Sequence, residues 1–310
     1  MSKLHVSAAP HIHSGNSTST VMRDVVIALL PATVAAIVLF GVPALLIILT
    51  CVASALASEF LFNLVVRKKQ TVLDFSAIVT GLLLALNLST NVPLWQAALG
   101  SVFAIVVVKC LFGGLGKNLV NPAIAARVFM LLTFTAVAGG AATQFAEITG
   151  GATPLPSLNS GVGAEGTPSL LTLLIGNHGG TIGETCAIAL ILGYAYLVWR
   201  KVIKWYVPVA FVATVFVCYL VFAQDFVHAL KHVLAGGLLL GAIFMATDYV
   251  TTPVNNLGRI IFCIGCGLIT FAIRQFGAYP EGVSIAILCM NLLTPLIEKW
   301  TAPRQLGGVR

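Results

Sequence analysis

The chain has 310 residues, of which 58% are hydrophobic and only 9% are charged, and its mean hydropathy is +1.00. Soluble domains carry about a quarter charged residues, so this composition excludes a soluble domain and predicts a polytopic membrane protein. The formal net charge of +7 does not indicate binding to nucleic acid. The basic residues lie at helix ends in short loops, where they act as orientation signals.

Residues 1–23 form a polar N-terminal tail without the apolar core of a cleavable signal peptide. His11 and His13 in this tail could bind a metal, although a flexible polar tail is the simpler interpretation. Cys263 and Cys266 have the spacing of half a metal or cluster site. Because no second pair or nearby histidine completes four ligands, we predict no metal site.

Ten apolar runs are candidate membrane spans, for which about 20 mainly apolar residues are typical. In chain order they are Val25–Gly41, Pro43–Val66, Phe75–Leu88, Leu94–Phe112, Pro122–Ala138, Glu184–Trp199, Tyr206–Phe222, Val233–Ala246, Ile260–Ile273 and Val283–Ile297. With the N-terminus inside, thirteen Lys and Arg residues lie at inner ends, and only Lys231 and Arg274 lie at outer ends. This positive-inside bias predicts that both termini are cytoplasmic.

A weak internal repeat relates the third and eighth predicted spans. Residues 80–85 read Thr-Gly-Leu-Leu-Leu-Ala, and residues 236–241 read Gly-Gly-Leu-Leu-Leu-Gly. Because five spans separate the two copies, they run in opposite directions, which indicates an inverted repeat with a site where Gly-interrupted helices meet. A chance match between two Leu- and Gly-rich helices is the alternative.

The predicted organisation has five parts, with a long polar loop at its centre. These parts are a cytoplasmic tail (1–23), a first membrane repeat (24–140), an outer loop (141–183), a second membrane repeat (184–300) and a cytoplasmic tail (301–310). Loops this long are usually functional or disordered. This loop presents the hydroxyl of Thr153 beside small residues and before Pro154, which stiffens the backbone. An ordinary surface turn is the alternative, since Gly, Thr and Pro are common in turns.

The segment that ends at Thr153 resembles a known modification site. Glu147-x-x-Gly150-Gly151-Ala152-Thr153 resembles the flavinylation motif acidic-x-x-Ser/Thr-Gly-Ala-Ser/Thr, whose last hydroxyl carries FMN through a phosphoester bond. Glu147 replaces the usual Asp, and Gly150 replaces the usual Ser or Thr. The continuation resembles the RnfD/NqrB family, which has members in the Rnf electron-transport complex and in the sodium-pumping NADH:quinone reductase. The resemblance implies that FMN is attached to Thr153 and lies near Gly150, Gly151, Ala152, Pro154 and Leu155.

Three further segments resemble the same family. The first ends in Asn118-Leu119-Val120-Asn121-Pro122 and leads into a helix N-terminus, which favours anions, although a tight turn is the alternative. The second precedes the sixth span, where Glu184 could simply cap the helix. The third contains Asp248, for which a solvated helix cap is the alternative. The resemblance implies cofactor-binding roles for Asn118, Asn121, Gly180, Thr181, Gly183, Glu184, Thr185 and Asp248.

Few ionisable residues occur within the apolar runs, where such groups are costly and often functional. Lys109 and Arg127 lie near span ends, and we expect them to snorkel to the interface. Glu59 lies deeper in its span. We therefore predict that Glu59 takes part in ion coupling or in a structural polar contact.

Together the four segments make the chain similar to this family over nearly its whole length. The similarity implies an all-α membrane fold of about ten transmembrane helices, arranged as a five-plus-five, urea-transporter-like inverted repeat. It implies a bacterial inner-membrane component of a ferredoxin:NAD oxidoreductase that relays electrons through covalent FMN and couples them to sodium or proton transport. Membrane lipid, a second flavinylated subunit, further membrane subunits and iron–sulfur subunits are the implied partners. A second, noncovalent flavin such as riboflavin is compatible with this interpretation.

Two alternatives remain open at this point. The first is a component of a sodium-pumping NADH:quinone reductase, although that relative has a longer N-terminus. The second is a small-solute transporter of the same fold without a redox centre, against which the motif at Thr153 argues. The sequence has no Ser/His/Asp set, no HExxH motif and no nucleotide-binding fingerprint, so we predict neither hydrolysis nor NAD binding by this chain alone.

Overall fold

A computed structural model describes residues 17–137, 154–155, 158, 168–176, 178–277 and 281–302, and describes only the backbone at residues 135–137. Within these ranges the chain forms helices and connections and contains no strand. The all-α prediction is therefore confirmed.

Besides a three-residue 3-10 helix at Val72–Asp74, twelve helices are numbered in the described ranges. They are α1 Thr18–Phe40, α2 Val42–Val65, α3 Ser76–Leu86, α4 Leu94–Cys110, α5 Pro122–Val137, α6 Leu170–Ile175, α7 Ala187–Trp199, α8 Tyr206–Ala223, α9 Phe226–Leu234, α10 Leu238–Met245, α11 Asn256–Phe276 and α12 Val283–Thr301. The C-terminal parts of α4 and α10 are π-helical, a feature found frequently at functional sites.

Five of these helices, α1, α2, α8, α11 and α12, are long and apolar enough to cross a membrane. The pair α9 and α10 is bent by 66° at a short break and provides a sixth span if it is counted as one. Four shorter helices, α3, α4, α5 and α7, are also apolar. These properties confirm a multi-pass membrane protein, and the five-plus-five inverted repeat stays a prediction.

Two differences between the predicted spans and the structure have a clear physical reason. The first helix begins at Thr18 rather than Val25, so the end of the predicted tail is helical, because the Ser17 hydroxyl accepts a hydrogen bond from the Thr20 backbone N–H at 3.3 Å. The eighth predicted span, Val233–Ala246, is not one continuous helix. It is broken between α9 and α10, where Gly236 has a φ of 72°, a left-handed conformation that glycine adopts without a steric penalty.

The helices pack as two connected groups. Helix α2 contacts α3 and α4, and α11 contacts α8 and α12. Between the groups, α1 packs against α7 and α5 packs against α12. Polar interactions join α1 to the end of α7. Asp24 forms a salt bridge with Arg200 at 3.1 Å and accepts a hydrogen bond from the Tyr196 hydroxyl at 3.2 Å.

Helices α3 and α10 are short and almost entirely buried. The C-terminal end of α3 meets the connection before α7, where the Leu86 carbonyl accepts a hydrogen bond from the Gly183 N–H at 2.8 Å. The C-terminal end of α10 meets the start of α5, where the Met245 carbonyl accepts from the Asn121 side chain at 3.4 Å. These short helices therefore place two polar connections at opposite ends of α10.

Candidate functional site

The segment that follows Thr153 is anchored in the core. Thr153 and the neighbouring Gly150, Gly151 and Ala152 lie outside the described residues. Leu155 is fully buried, and its Cδ1 atom lies 2.8 Å from the position that a Cβ atom on Gly236 would take. The chain that leaves Thr153 is thus held at the break between α9 and α10.

Arg274 supports this break from the neighbouring helix α11. Its guanidinium donates to the carbonyls of His232 at 2.7 Å and Ala235 at 3.3 Å, at the C-terminal end of α9. A cation is favourable there because the last carbonyls of a helix carry partial negative charge. Arg274 is 2% exposed, so its charge is held inside the protein next to the break.

The connection before α7 lies on the other side of the same break. The N–H groups of Ile182 and Gly183 donate to the carbonyls of Leu88 and Leu86 at 2.9 and 2.8 Å, which fixes this connection to the end of α3. The Glu184 carboxylate accepts a hydrogen bond from the Thr181 N–H at 3.0 Å. The interpretation of Glu184 as a cap for the following helix is wrong, because Cys186 is the N-cap of α7 and no side chain caps it.

A second carboxylate, Glu281, also lies at this break. It accepts a hydrogen bond from the Gly237 N–H at 3.0 Å and lies 3.6 Å from the Arg127 guanidinium. The expectation that Arg127 snorkels is therefore wrong, since this side chain is only 7% exposed. Glu281 was not among the predicted site residues, because a lone Glu in a short connection has no distinguishing spacing. The signal that could have found this region was the Gly236-Gly237 pair in the internal repeat.

The other end of α10 borders an open cleft. Its lining is mainly apolar and includes the predicted residues Asn118, Asn121 and Asp248, together with Lys109. The Asn121 carboxamide oxygen accepts from the N–H groups of Ala123 and Ile124 and caps α5. The buried Asn118 side-chain oxygen has no hydrogen-bond partner, so it can accept from a bound molecule.

Asp248 closes the turn after α10 rather than standing in solvent. Its carboxylate accepts hydrogen bonds from the Val250 N–H at 3.4 Å and the Thr251 hydroxyl at 3.1 Å. Burial raises the pKa of Asp248, while these two hydrogen bonds oppose the rise. The predicted site residues thus form two groups, with Asn118, Asn121 and Asp248 at the cleft and the Gly180–Thr185 connection with Leu155 at the break.

Glu59 and Lys109 form a buried ion pair beside the cleft. The Lys109 ammonium lies 2.9 Å from the Glu59 carboxylate, and both side chains are 2% exposed. The Lys109 ammonium also donates to the Ser76 hydroxyl at 2.6 Å, and Glu59 accepts from the Thr71 hydroxyl at 2.6 Å. The expectation that Lys109 snorkels is therefore wrong, because Glu59 lies within reach on the packed face of α2.

The arrangement has two polar sites, one at each end of α10. They are about 10 Å apart, the length of an eight-residue helix. The N-terminal end of α10 holds two carboxylates and two arginines beside the segment that follows Thr153. The C-terminal end opens into the cleft lined by Asn118, Asn121 and Asp248. Interrupted helices of this kind form binding sites in many membrane transport proteins.

Known proteins are similar to the chain over nearly its full length. The D component of a Na(+)-translocating ferredoxin:NAD(+) oxidoreductase complex from Acetobacterium woodii is 45% identical, covering 98% of this chain and 95% of the relative. The D component of a proton-translocating ferredoxin:NAD(+) oxidoreductase complex from Clostridium ljungdahlii is 37% identical, with 98% and 96% covered. The D component of an ion-translocating oxidoreductase complex from Stutzerimonas stutzeri is 38% identical, with 94% and 93% covered.

The profile of the NQR2, RnfD, RnfE family matches residues 5–307. This match includes all four segments that carry the resemblance, and it extends through every described helix. The chain therefore belongs to the NQR2, RnfD, RnfE family.

Proposed function

We propose that this chain is the membrane flavoprotein component of an ion-translocating ferredoxin:NAD oxidoreductase complex and carries FMN on Thr153 through a phosphoester bond. The observation that carries the proposal is the similarity to components of such complexes over 98% of the chain, together with the motif at residues 147–153. The bound flavin supplies the electron-transfer chemistry, and the protein supplies position and electrostatics.

The structure supports a role in holding the cofactor. Leu155, two residues after Thr153 in the sequence, is buried beside Gly236 at the α9–α10 break. The positive charge of Arg274 lies at this break, where it favours a phosphate or a reduced, anionic flavin. We expect this arginine to orient the flavin and stabilise its negative charge.

The cleft at the other end of α10 is our candidate for a second, noncovalent flavin such as riboflavin. A mainly apolar lining suits a flat aromatic ring, and a few convergent polar groups fix its orientation. Asn118 and Asn121 supply amides, and Asp248 supplies a carboxyl group. A neutral ribityl chain matches these partners better than a phosphate would, because Asp248 would oppose a second negative charge.

The same proposal includes the five-plus-five inverted repeat. In such a repeat α1 is equivalent to α7, and α5 is equivalent to α12. Support comes from the packing of these equivalent helices, since α1 contacts α7 and α5 contacts α12. Under this proposal the other subunits of the complex surround the chain in the bacterial inner membrane. Because the relatives named above are described with different ions, the choice between sodium and proton does not follow from the family.

Intact-protein mass spectrometry of the chain purified from its native host tests the proposal directly. We expect a mass increase of one FMN less one water, because a phosphoester forms with loss of water. Peptide mapping should then place the adduct on Thr153. A chain of unmodified mass without any bound flavin would instead favour the non-redox transporter.

The proposed orientation predicts opposite labelling of two engineered cysteines in intact cells. A cysteine at Asn159 in an otherwise unreactive background should react with an impermeant thiol reagent added outside. A cysteine at Lys204 should react only after permeabilisation, because the Lys and Arg bias places it inside. Reversed labelling would overturn the orientation without affecting the flavin assignment.

A further inference from the structure

The carboxylates of Glu184 and Glu281 both lie beside Gly237 at the N-terminal end of α10. A Cβ atom on Gly237 would clash with a Glu281 oxygen and would lie 3.5 Å from a Glu184 oxygen. A side chain at this position would therefore displace Glu281, and it would make ordinary van der Waals contact with Glu184. Glycine leaves a small space at the N-terminal end of α10 into which the two carboxylates project from separate connections.

Three of the four carboxylate oxygens have a donor or a cation beside them. One Glu281 oxygen accepts from the Gly237 N–H at 3.0 Å, and the other lies 3.6 Å from Arg127. One Glu184 oxygen accepts from the Thr181 N–H at 3.0 Å. The remaining Glu184 oxygen is buried without a hydrogen-bond partner, in a residue that is 1% exposed. This oxygen is the one that lies beside Gly237, where a Glu281 oxygen also lies.

A carboxylate in this position is disfavoured for two reasons. Burying a charged oxygen without a donor is costly. In addition, two carboxylates that share one site do not both ionise readily, because the like charges repel. A proton on the Glu184 oxygen removes the charge and supplies a donor, and the neighbouring Glu281 carboxylate is the acceptor.

The surrounding charged and titratable groups leave Glu281 as the ionised partner. Arg127 on α5 lies beside Glu281. Arg274 on α11 is directed to the carbonyls of α9. His232 on α9 stacks on Tyr219 at 3.8 Å and contacts His228, and His178 contacts the Gly179 carbonyl. The donors at the pair are N–H and guanidinium groups, which favour an anion with a neutral acid over a bound metal cation.

We infer that Glu184 and Glu281 form a proton-binding site, in which one exchangeable proton is held on Glu184 and donated to the Glu281 carboxylate. The ligand is a proton rather than sodium. The site lies beside Leu155 and Gly236, next to the segment that follows Thr153. Proton binding at this site does not require flavin attachment. Experiments can therefore contradict this inference without contradicting the proposed function, and the reverse.

Infrared difference spectroscopy of the purified complex between acid and alkaline pH tests this inference. We expect the C=O band of a protonated carboxyl group that shifts in deuterium oxide, disappears at alkaline pH and is absent in Glu184→Gln. Glutamine has the shape of the protonated acid, so this variant should assemble. Glu298→Gln is the matched control, because Glu298 accepts from the Val254 N–H at 3.1 Å and is not part of the pair beside Gly237, and it should leave the band unchanged.

Glu281→Gln provides a second variant, which keeps the inference testable if Glu184→Gln does not fold. Removing the neighbouring negative charge should lower the proton affinity of Glu184 by about tenfold or more, so the band should titrate at lower pH. A band that persists in Glu184→Gln, or that does not move in Glu281→Gln, would overturn the assignment. Loss of the band on adding sodium chloride to the wild-type complex at constant pH would show a cation site instead.

Discussion

Replacing Thr153 with valine abolishes covalent flavin attachment while the chain still inserts and assembles; this is the result we expect. Valine keeps the shape of threonine but has no oxygen to form the phosphoester. The change lies in a loop, where core packing should be little disturbed, and the buried Leu155 anchor is unchanged. In-gel flavin fluorescence after denaturing electrophoresis should therefore fall to background, and electron transfer through the complex should stop.

Two control variants separate loss of the acceptor from damage to the loop. Thr153→Ser retains a hydroxyl, so it should retain some attachment, because the motif admits either residue. Thr149→Val removes a nearby hydroxyl of the same segment and should leave the fluorescence at the wild-type level. Fluorescence that survives in Thr153→Val, or an adduct that maps to Thr149 or Ser157, would contradict the assignment of Thr153.

The second large effect should come from the buried ion pair of Glu59 and Lys109. Lys109→Met should destabilise the chain by about 3–5 kcal/mol, because removal of one partner leaves the other charge buried and uncompensated. Glu59→Gln/Lys109→Met removes both charges, and glutamine can still accept the hydrogen bond of the Thr71 hydroxyl, so the double variant should recover much of this loss. Thermal denaturation of the detergent-solubilised complex measures the difference.

Ion transport by the same variants tests the predicted coupling role of Glu59. If Glu59 is a coupling residue, Glu59→Gln should reduce transport while FMN stays attached, and the stable double variant should also fail to transport. Lys117→Met is the matched control, because Lys117 is exposed on the connection that follows α4. Normal transport by a stably assembled double variant would remove Glu59 from the mechanism and leave it a purely structural role.

A feature of this fold can be predicted from the sequence when it depends on residues that are close together along the chain. Membrane insertion depends on the summed hydropathy of a continuous run, so each of the ten predicted runs overlaps a helix. A break within a helix changes this summed hydropathy little, so it is harder to predict from the sequence. The run Val233–Ala246 reads as one span, although Gly236 permits the chain to bend there by 66° between α9 and α10.

The candidate site also has one part that neighbouring residues predict and one part that depends on contacts between distant segments. The motif that ends at Thr153 is local, because a modifying enzyme need recognise only a short segment, so the attachment site is predicted from neighbouring residues and the family. The clustering of Asn118, Asn121 and Asp248 around one cleft required packing of α5 against the end of α10. Asn121 and Met245 are separated by 124 residues, and spacing along the chain does not reveal such contacts.

The sequence by itself determined that this is a helical membrane protein of a known family, because hydropathy and short motifs are local properties. Only the tertiary structure decided which charges are paired. Lys109 and Arg127 lie near span ends and could have reached water, but Glu59 and Glu281 come from other segments and neutralise them inside the protein. The same packing placed Glu184 and Glu281 beside Gly237. In a low-dielectric interior the charge state of an acid depends on these neighbours, and the neighbours are set by the fold.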